Sequence, residues 1–321
     1  MKWFVFAGLA LVQSMLPAPA AGQPGSAASA VPRTPWGVPN LEGVWDRGTM
    51  TPIERPKEFH GREFMTKEEA AALEAKPSAD EVYFAPGRKV VPTLRTSLIV
   101  DPPDGRIPPL TPEAEKRAQA HSANGQRPVR QLTGGISADG PEDRGLAERC
   151  LVGMNAGPPM VPSAYNNNMQ VVQTRDYVVI VTEMIHDARI IPLDGRPHLP
   201  SSIRRWQGES RGHWEGDTLV VETTNLTDKT PSFHRSIVSA IGSGENLRLV
   251  ERFTRVDLDA LLYEFTVNDP TTFTRPFTAS LPMRRTIEGM FEYACHEGNH
   301  TMQHVLSGAR AEEKGTEKGA R

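Results

Sequence analysis

Long apolar runs, surplus basic charge and cysteine are all scarce in this chain, and each scarcity narrows what the protein does. The longest apolar run, Trp3 to Leu16, is broken only by Gln13 and Ser14. At about 14 residues it is too short to span a bilayer, which takes about 20. Lys and Arg total 36 against 39 Asp and Glu, a net charge of −3, so the clustered basic face of a nucleic-acid-binding protein is not expected. No Gly-x-Ser-x-Gly elbow, phosphate loop or dinucleotide fingerprint occurs, which sets serine-hydrolase and nucleotide-cofactor chemistry aside. Cys150 and Cys295 are the only cysteines.

What is present points outward from the cell and toward β structure. Lys2, the apolar run and Ala18-Pro19-Ala20 have the three-part form of a signal peptide over residues 1–20, and no cysteine follows the cleavage site to carry a lipid. A periplasmic or secreted location follows as an expectation. In an oxidising compartment the two cysteines are expected to form one disulfide, which would stabilise the fold by about 4–5 kcal/mol on the chain-entropy account. The competing reading is a reactive thiol at Cys295, beside His296. The 27 Gly and 28 Pro favour turns and ordered loops over a helical bundle.

Residues 21–40 have the Ser/Ala/Gly/Pro composition of a flexible linker. Residues 41–160 form an N-terminal segment with short helices and long loops. Thr66 with Glu69 predicts a capped helix stopped by Pro77, and Thr111-Pro112 opens a second, running to about Ala120. A strand, tight turn and second short strand are expected over 98–107, and no periodicity is evident over 121–148. From 161 to 310 a β pattern dominates. Runs at 170–183, 188–193, 219–224, 247–256, 260–268, 277–285 and 287–294 predict an antiparallel meander closed into a barrel or sandwich. In the fourth of these Leu247, Leu249 and Phe253 are set against Arg248, Glu251 and Arg252. The tail, 311–321, is charged and apolar-poor, as disordered segments are.

The stretch from Tyr165 to Leu226 organises the rest. Gly212-His213-Trp214-Glu215-Gly216-Asp217-Thr218-Leu219-Val220-Val221, with Asp101-Pro102-Pro103-Asp104-Gly105-Arg106, Pro192 to His198, Val250 to Phe253 and Asp269-Pro270, resembles a large family of exported bacterial proteins. That resemblance spans about Leu41 to Arg310. It implies export and β architecture and brings no mechanism with it. Gly43-Val44-Trp45 is similar to the opening strand of lipocalin-like barrels, where the Trp plugs one end and the Gly lets the backbone pass close.

Four groups carry candidate chemistry. Glu183, His186, Asp187 and Arg189 bring three ionisable types to a strand end: His186 would act as base, Asp187 or Glu183 as its orienter, and Arg189 or Arg196 would steady an anion. At strand spacing Glu183 and Asp187 share a face opposite His186. Arg196 and His198 follow the Asp194-Gly195 turn, with His213, Glu215 and Asp217 one hairpin on. Arg196 and His213 are candidate substrate contacts, while Asp217 sets a turn and Trp214 is core or plug. His296, His300 and His304 leave room for a divalent metal, although Gly298-Asn299 interrupts the helix they would need. Tyr165 is a candidate acid, and Asn166, Asn167 and Asn168 either bind a hydroxylated substrate or cap turns. No organic cofactor is implied. The sequence therefore supports a hydrolase or lyase of a small polar or saccharide-like substrate, working by His/carboxylate acid–base catalysis in a β-barrel pocket. Its rivals are a non-catalytic lipocalin-like binding protein and a structural envelope component.

Overall fold

The structure, a computed structural model, describes residues 31–75, 88–123, 135, 137–153, 155–236 and 239–319; the expected signal peptide and the first half of the linker lie outside them. The protein is mainly β. Its large sheet contains β1 (Gly43–Asp46), β2 (Ile99–Asp101), β3 (Asn168–Gln173), β4 (Tyr177–Thr182), β5 (Ala188–Pro192), β6 (Glu209–Glu215), β7 (Thr218–Thr224), β10 (Arg248–Arg255), β11 (Ala260–Asn268) and β12 (Phe277–Thr286). A separate hairpin pairs β8 (Phe233–Ser236) with β9 (Ser239–Ile241). The helices are α1 (Lys67–Glu74), α2 (Pro112–Ala123) and α3 (Thr301–Gly319). Among the described residues no helix is long and apolar enough to cross a membrane.

The sheet runs β5-β4-β3-β1-β12-β11-β10-β7-β6, antiparallel throughout, with β2 on β12 beyond the end of β1. It is not closed by a ladder: β5 and β6 are its two edges. They meet through side chains instead, and a Cβ on Gly212 would lie 2.8 Å from both Ile191 and Leu193. An open or sandwich-like sheet curled upon itself is therefore observed where a meander closed by hydrogen bonds was one expectation.

Strict alternation explains the curl. In β10, β11 and β12 every second side chain is buried, and these inward rows supply Leu249, Phe253, Tyr263, Phe265, Val267, Phe277, Leu281 and Met283 to one core. Glu251 has the same parity as Leu249 and Phe253 and points inward with them, fully buried, a correction to its expected place among the outward polar residues. There the Arg189 guanidinium on β5 grips both its carboxylate oxygens, at 2.7 and 3.1 Å, and the Tyr263 hydroxyl donates to it at 2.7 Å. An edge strand is thereby tied to the middle of the sheet.

The two ends of the sheet differ. At one, Trp45 is fully buried and donates its indole N–H to the Leu41 carbonyl, while the Arg255 guanidinium lies 5.3 Å from the ring centroid. Gly43 is required here, because its φ of +138° is open only to glycine. At the other end the interior is filled from outside. Met160 sits fully buried with its backbone N–H on the Tyr263 hydroxyl, and Phe233 of the hairpin packs edge-on against Phe277 at 5.3 Å.

Several expectations need correction. The segment 287–294 is not a strand; it and the residues to 300 run irregularly into α3. The tail is helical to Gly319, because Asn299 caps it by accepting from the Thr301 N–H and Ala309, Ala311, Glu312, Glu313 and Lys314 are strong helix formers. In the linker, Arg33 makes two 2.8 Å bonds to Asp217, so Asp217 anchors that segment in addition to ending a turn. Residues 102–107 hold a turn without a second strand. The Thr66–Glu69 capping box of α1 is present as expected, and Thr111 accepts from the Ala114 N–H at the start of α2.

The buried ion pair gives the fold a direct test. Arg189→Met leaves Glu251 charged and unpaired in the core and should cost about 3–5 kcal/mol in urea unfolding. Adding Glu251→Gln should restore part of that loss. A single-variant loss below about 1 kcal/mol would mean that the pair does not tie the edge strand.

Candidate functional site

The candidate site lies at the end of the sheet remote from Trp45, where β4 turns into β5. The turn is a single 3-10 segment, Met184–His186, in which Ile185 and His186 both take left-handed backbone, φ 65° and 47°. Such conformations are rare away from glycine and costly for a β-branched residue. What holds them is packing. Ile185 and Met184 are buried in a small cluster with Ala156, Tyr165, Tyr293 and Cys295, and the Cys150–Cys295 disulfide bolts the segment that carries Tyr293 to this place. A side chain on Gly153 would collide with Met184 at 2.2 Å. The disulfide reading of the two cysteines is thus the correct one.

The left-handed pair undoes strand alternation. Glu183 is buried beneath the segment that carries Phe291, accepting the Phe291 N–H at 2.9 Å and the Asn168 side chain at 3.4 Å. His186 turns out and is exposed. Its Nδ1 stands 3.2 Å from the Tyr293 carbonyl oxygen, which can only accept, so Nδ1 is the donor and Nε2 is the nitrogen left toward solvent. Asp187 is half-buried, accepts from the Gln207 amide, and has its carboxyl pushed above the usual aspartate value, chiefly by burial, with His186 opposing the shift.

The other candidates divide. Arg189 is two residues on but faces inward to Glu251. Tyr165 belongs to the cluster beneath His186. Asn166 has left-handed backbone and presents its carbonyl to Asn155. Asn167 is buried and spends its side chain on both the Ser163 N–H and the Ser163 carbonyl, which is the turn-capping alternative. Arg196 and His213 lie toward the Trp45 end, since Pro192 pairs with Tyr177 and Glu215 with Thr218 there. Both are exposed, Arg196 on Asp194 and His213 on Glu215, which also binds Arg252 at 2.9 Å. His300 and His304 stack one turn apart at the start of α3, with His296 outside the helix. Among the described residues no three His, Cys, Asp or Glu converge as metal ligands.

Three features were not foreseen: the role of Arg47, the Glu209 partner of His198, and the part played by residues 287–300. Arg47 is wholly buried and donates to the carbonyls of Val161, Asn167 and Asn155, clamping the loop that carries Tyr165. Burial brings its guanidinium down to about 10. His198 contacts the buried Glu209 through Nδ1, and Arg211 flanks the same carboxylate, a second imidazole oriented by an acceptor. The third feature is the irregular segment 287–300, which supplies Phe291 N–H and Tyr293 C=O. The hydrophobic pattern of 287–294 gave no hint of that role. No family model, curated protein or solved structure matches the chain.

Two outcomes follow. Because burial raises the Asp187 pKa, its ionised form is disfavoured in the folded state. Asp187→Asn should therefore be more stable than wild type at pH 7, by less than about 1 kcal/mol since water still reaches the group. The gain should disappear as pH falls below the ordinary aspartate range, and a gain that persists there would rule out the desolvation account. Replacing both cysteines by Ser should speed hydrogen exchange of the Phe291 amide at least about tenfold, read by mass spectrometry, with β11 unaffected.

Proposed function

We propose that the protein is an exported enzyme of hydrolase or lyase type, acting on a small polar or saccharide-like substrate by acid–base catalysis at the rim formed by His186 and Asp187. The observation that carries this reading is the adjacency of a fixed-tautomer imidazole and a carboxyl held above its usual range. The imidazole is suited to take a proton at Nε2, with the Asp187 carboxyl beside it. Strained backbone at Ile185 and His186 supports it, since such strain gathers at working sites. Gln207 beside Asp187, and His198 on Glu209 nearby in sequence, supply polar partners for hydroxyl groups. The disulfide supports export. Contact between β5 and β6 supports reading the curled sheet as a nearly closed barrel.

The chemistry is placed at the rim because Met160, Phe233 and the Arg189–Glu251–Tyr263 group occupy the interior. A lipocalin-like binding protein is the second reading, favoured by the buried Trp45 under Arg255. The test is a panel of chromogenic esters and glycosides, together with acidic polysaccharides followed for unsaturated products. His186→Gln, folded by circular dichroism, should lose at least about 100-fold in turnover of any active member, the usual span for a general base. Full retention of turnover in that variant refutes the assignment.

A further inference from the structure

The outer face of β3, β4 and β5 carries no charge. Val172, Val179 and Ile190 stand side by side across the three strands, in register. Val181 and Ala188 form the next row on one side, and Tyr177 begins the next on the other. Ile190 is 63% exposed, and Val172 and Tyr177 are each 40% exposed. The only charged residue in the three strands is Arg189, which points inward to Glu251. We infer that this face is the surface on which a second copy of the chain docks, face to face across a two-fold axis.

The rest of the sheet is built differently. On its far half, the outer faces of β6, β7 and β10 hold Arg248 on Glu222 at 2.6 Å and Arg252 on Glu215 at 2.9 Å. That is the ordinary dress of a sheet with one solvated face. Exposed apolar side chains scattered singly are normal, whereas a contiguous block of them marks a contact.

Extent sets the strength of that contact. With strands about 4.8 Å apart and same-face rows about 7 Å apart, three strands by three rows cover roughly 300 Å². A stable complex buries about 800 Å² on each partner. The face is therefore the apolar centre of a reversible contact, completed by a polar rim.

The absence of charge selects the occupant. In a two-fold contact the same patch meets itself, so a charge near the axis would face its own like. A face without charges avoids that repulsion. It also offers nothing to an anionic membrane or a nucleic acid, both of which are held by cations. Beyond the face, charges of both signs occur together, with Arg175 next to Asp176 and Arg196 paired with Asp194. Strand addition at the edge of β5 is blocked, because Gly212 of β6 lies against Ile191 and Leu193. The inference does not depend on the chemistry assigned to His186.

The experiment is sedimentation velocity on the full chain from about 0.5 μM to about 500 μM, which should show monomer passing to dimer with a midpoint above about 1 μM, as befits an interface below standard size. Ile190→Lys and Val172→Lys, both at exposed positions, should each weaken association at least tenfold and leave the melting temperature at the lowest concentration unchanged. Val256→Lys, at an apolar position that is 53% exposed and off this face, should associate as wild type does. Raising salt from about 50 mM to about 500 mM should not weaken the dimer, since no ion pair lies at its centre. A monomer at every concentration, a dimer that survives both patch variants, an equal loss in Val256→Lys, or weakening by salt would each overturn the assignment. A fall in the melting temperature of Ile190→Lys at the lowest concentration would overturn it in favour of a contact within the chain.

Discussion

The salt bridge from Arg189 to Glu251 is the constraint on which the shape of the sheet depends. An ion pair inside an apolar core is a poor source of net stability, because both charges surrender their hydration. Its effect here is geometric. β5 is one edge of the sheet and β10 lies two strands in from the other. A bidentate contact between them holds the two halves of the curl at a fixed separation. Tyr263 and the Met160 N–H extend that contact into the loop beyond. The polar atoms of the interior are directed at one another.

A second buried cation arranges the rim. Arg47 has no carboxylate in its grip; it is satisfied by main-chain carbonyls of residues 155–167. Such a group resists displacement, because every lost bond leaves a buried donor unsatisfied. The loop it clamps brings Ala156 and Tyr165 against Ile185 and Tyr293. The disulfide does for the C-terminal segment what Arg47 does for this loop. Both converge on one short turn, and the left-handed Ile185 and His186 are the result.

Much of this was legible in the sequence, and the reason for each failure is physical. Capping chemistry is local, so Thr66 with Glu69 located α1 without tertiary information. Period-two alternation located β10, β11 and β12, whose inner faces are buried. The same alternation already placed Glu251 inward by parity, but residue type prevailed over position, and its partner lies 62 residues earlier in the chain. Arg196 and His213 looked close to His186 because they follow it within one hairpin. Strand direction carries them toward the opposite end of the sheet. The irregular path of 287–300 is fixed by a disulfide to residue 150 and by backbone bonds to Glu183 and His186. Neither constraint leaves a periodic trace.

Those errors share a direction that bears on function. Arg189 and Asn167, both candidates in the sequence, have side chains consumed by the fold. Groups that reach solvent in a defined state, His186 Nε2 and the Asp187 carboxyl, owe that state to main-chain atoms of a distant segment and to burial. The state of these groups is therefore coupled to the docking of the segment 287–300. A change that frees Tyr293 releases the His186 proton from its fixed nitrogen and relaxes the left-handed turn, leaving the sheet and its core in place.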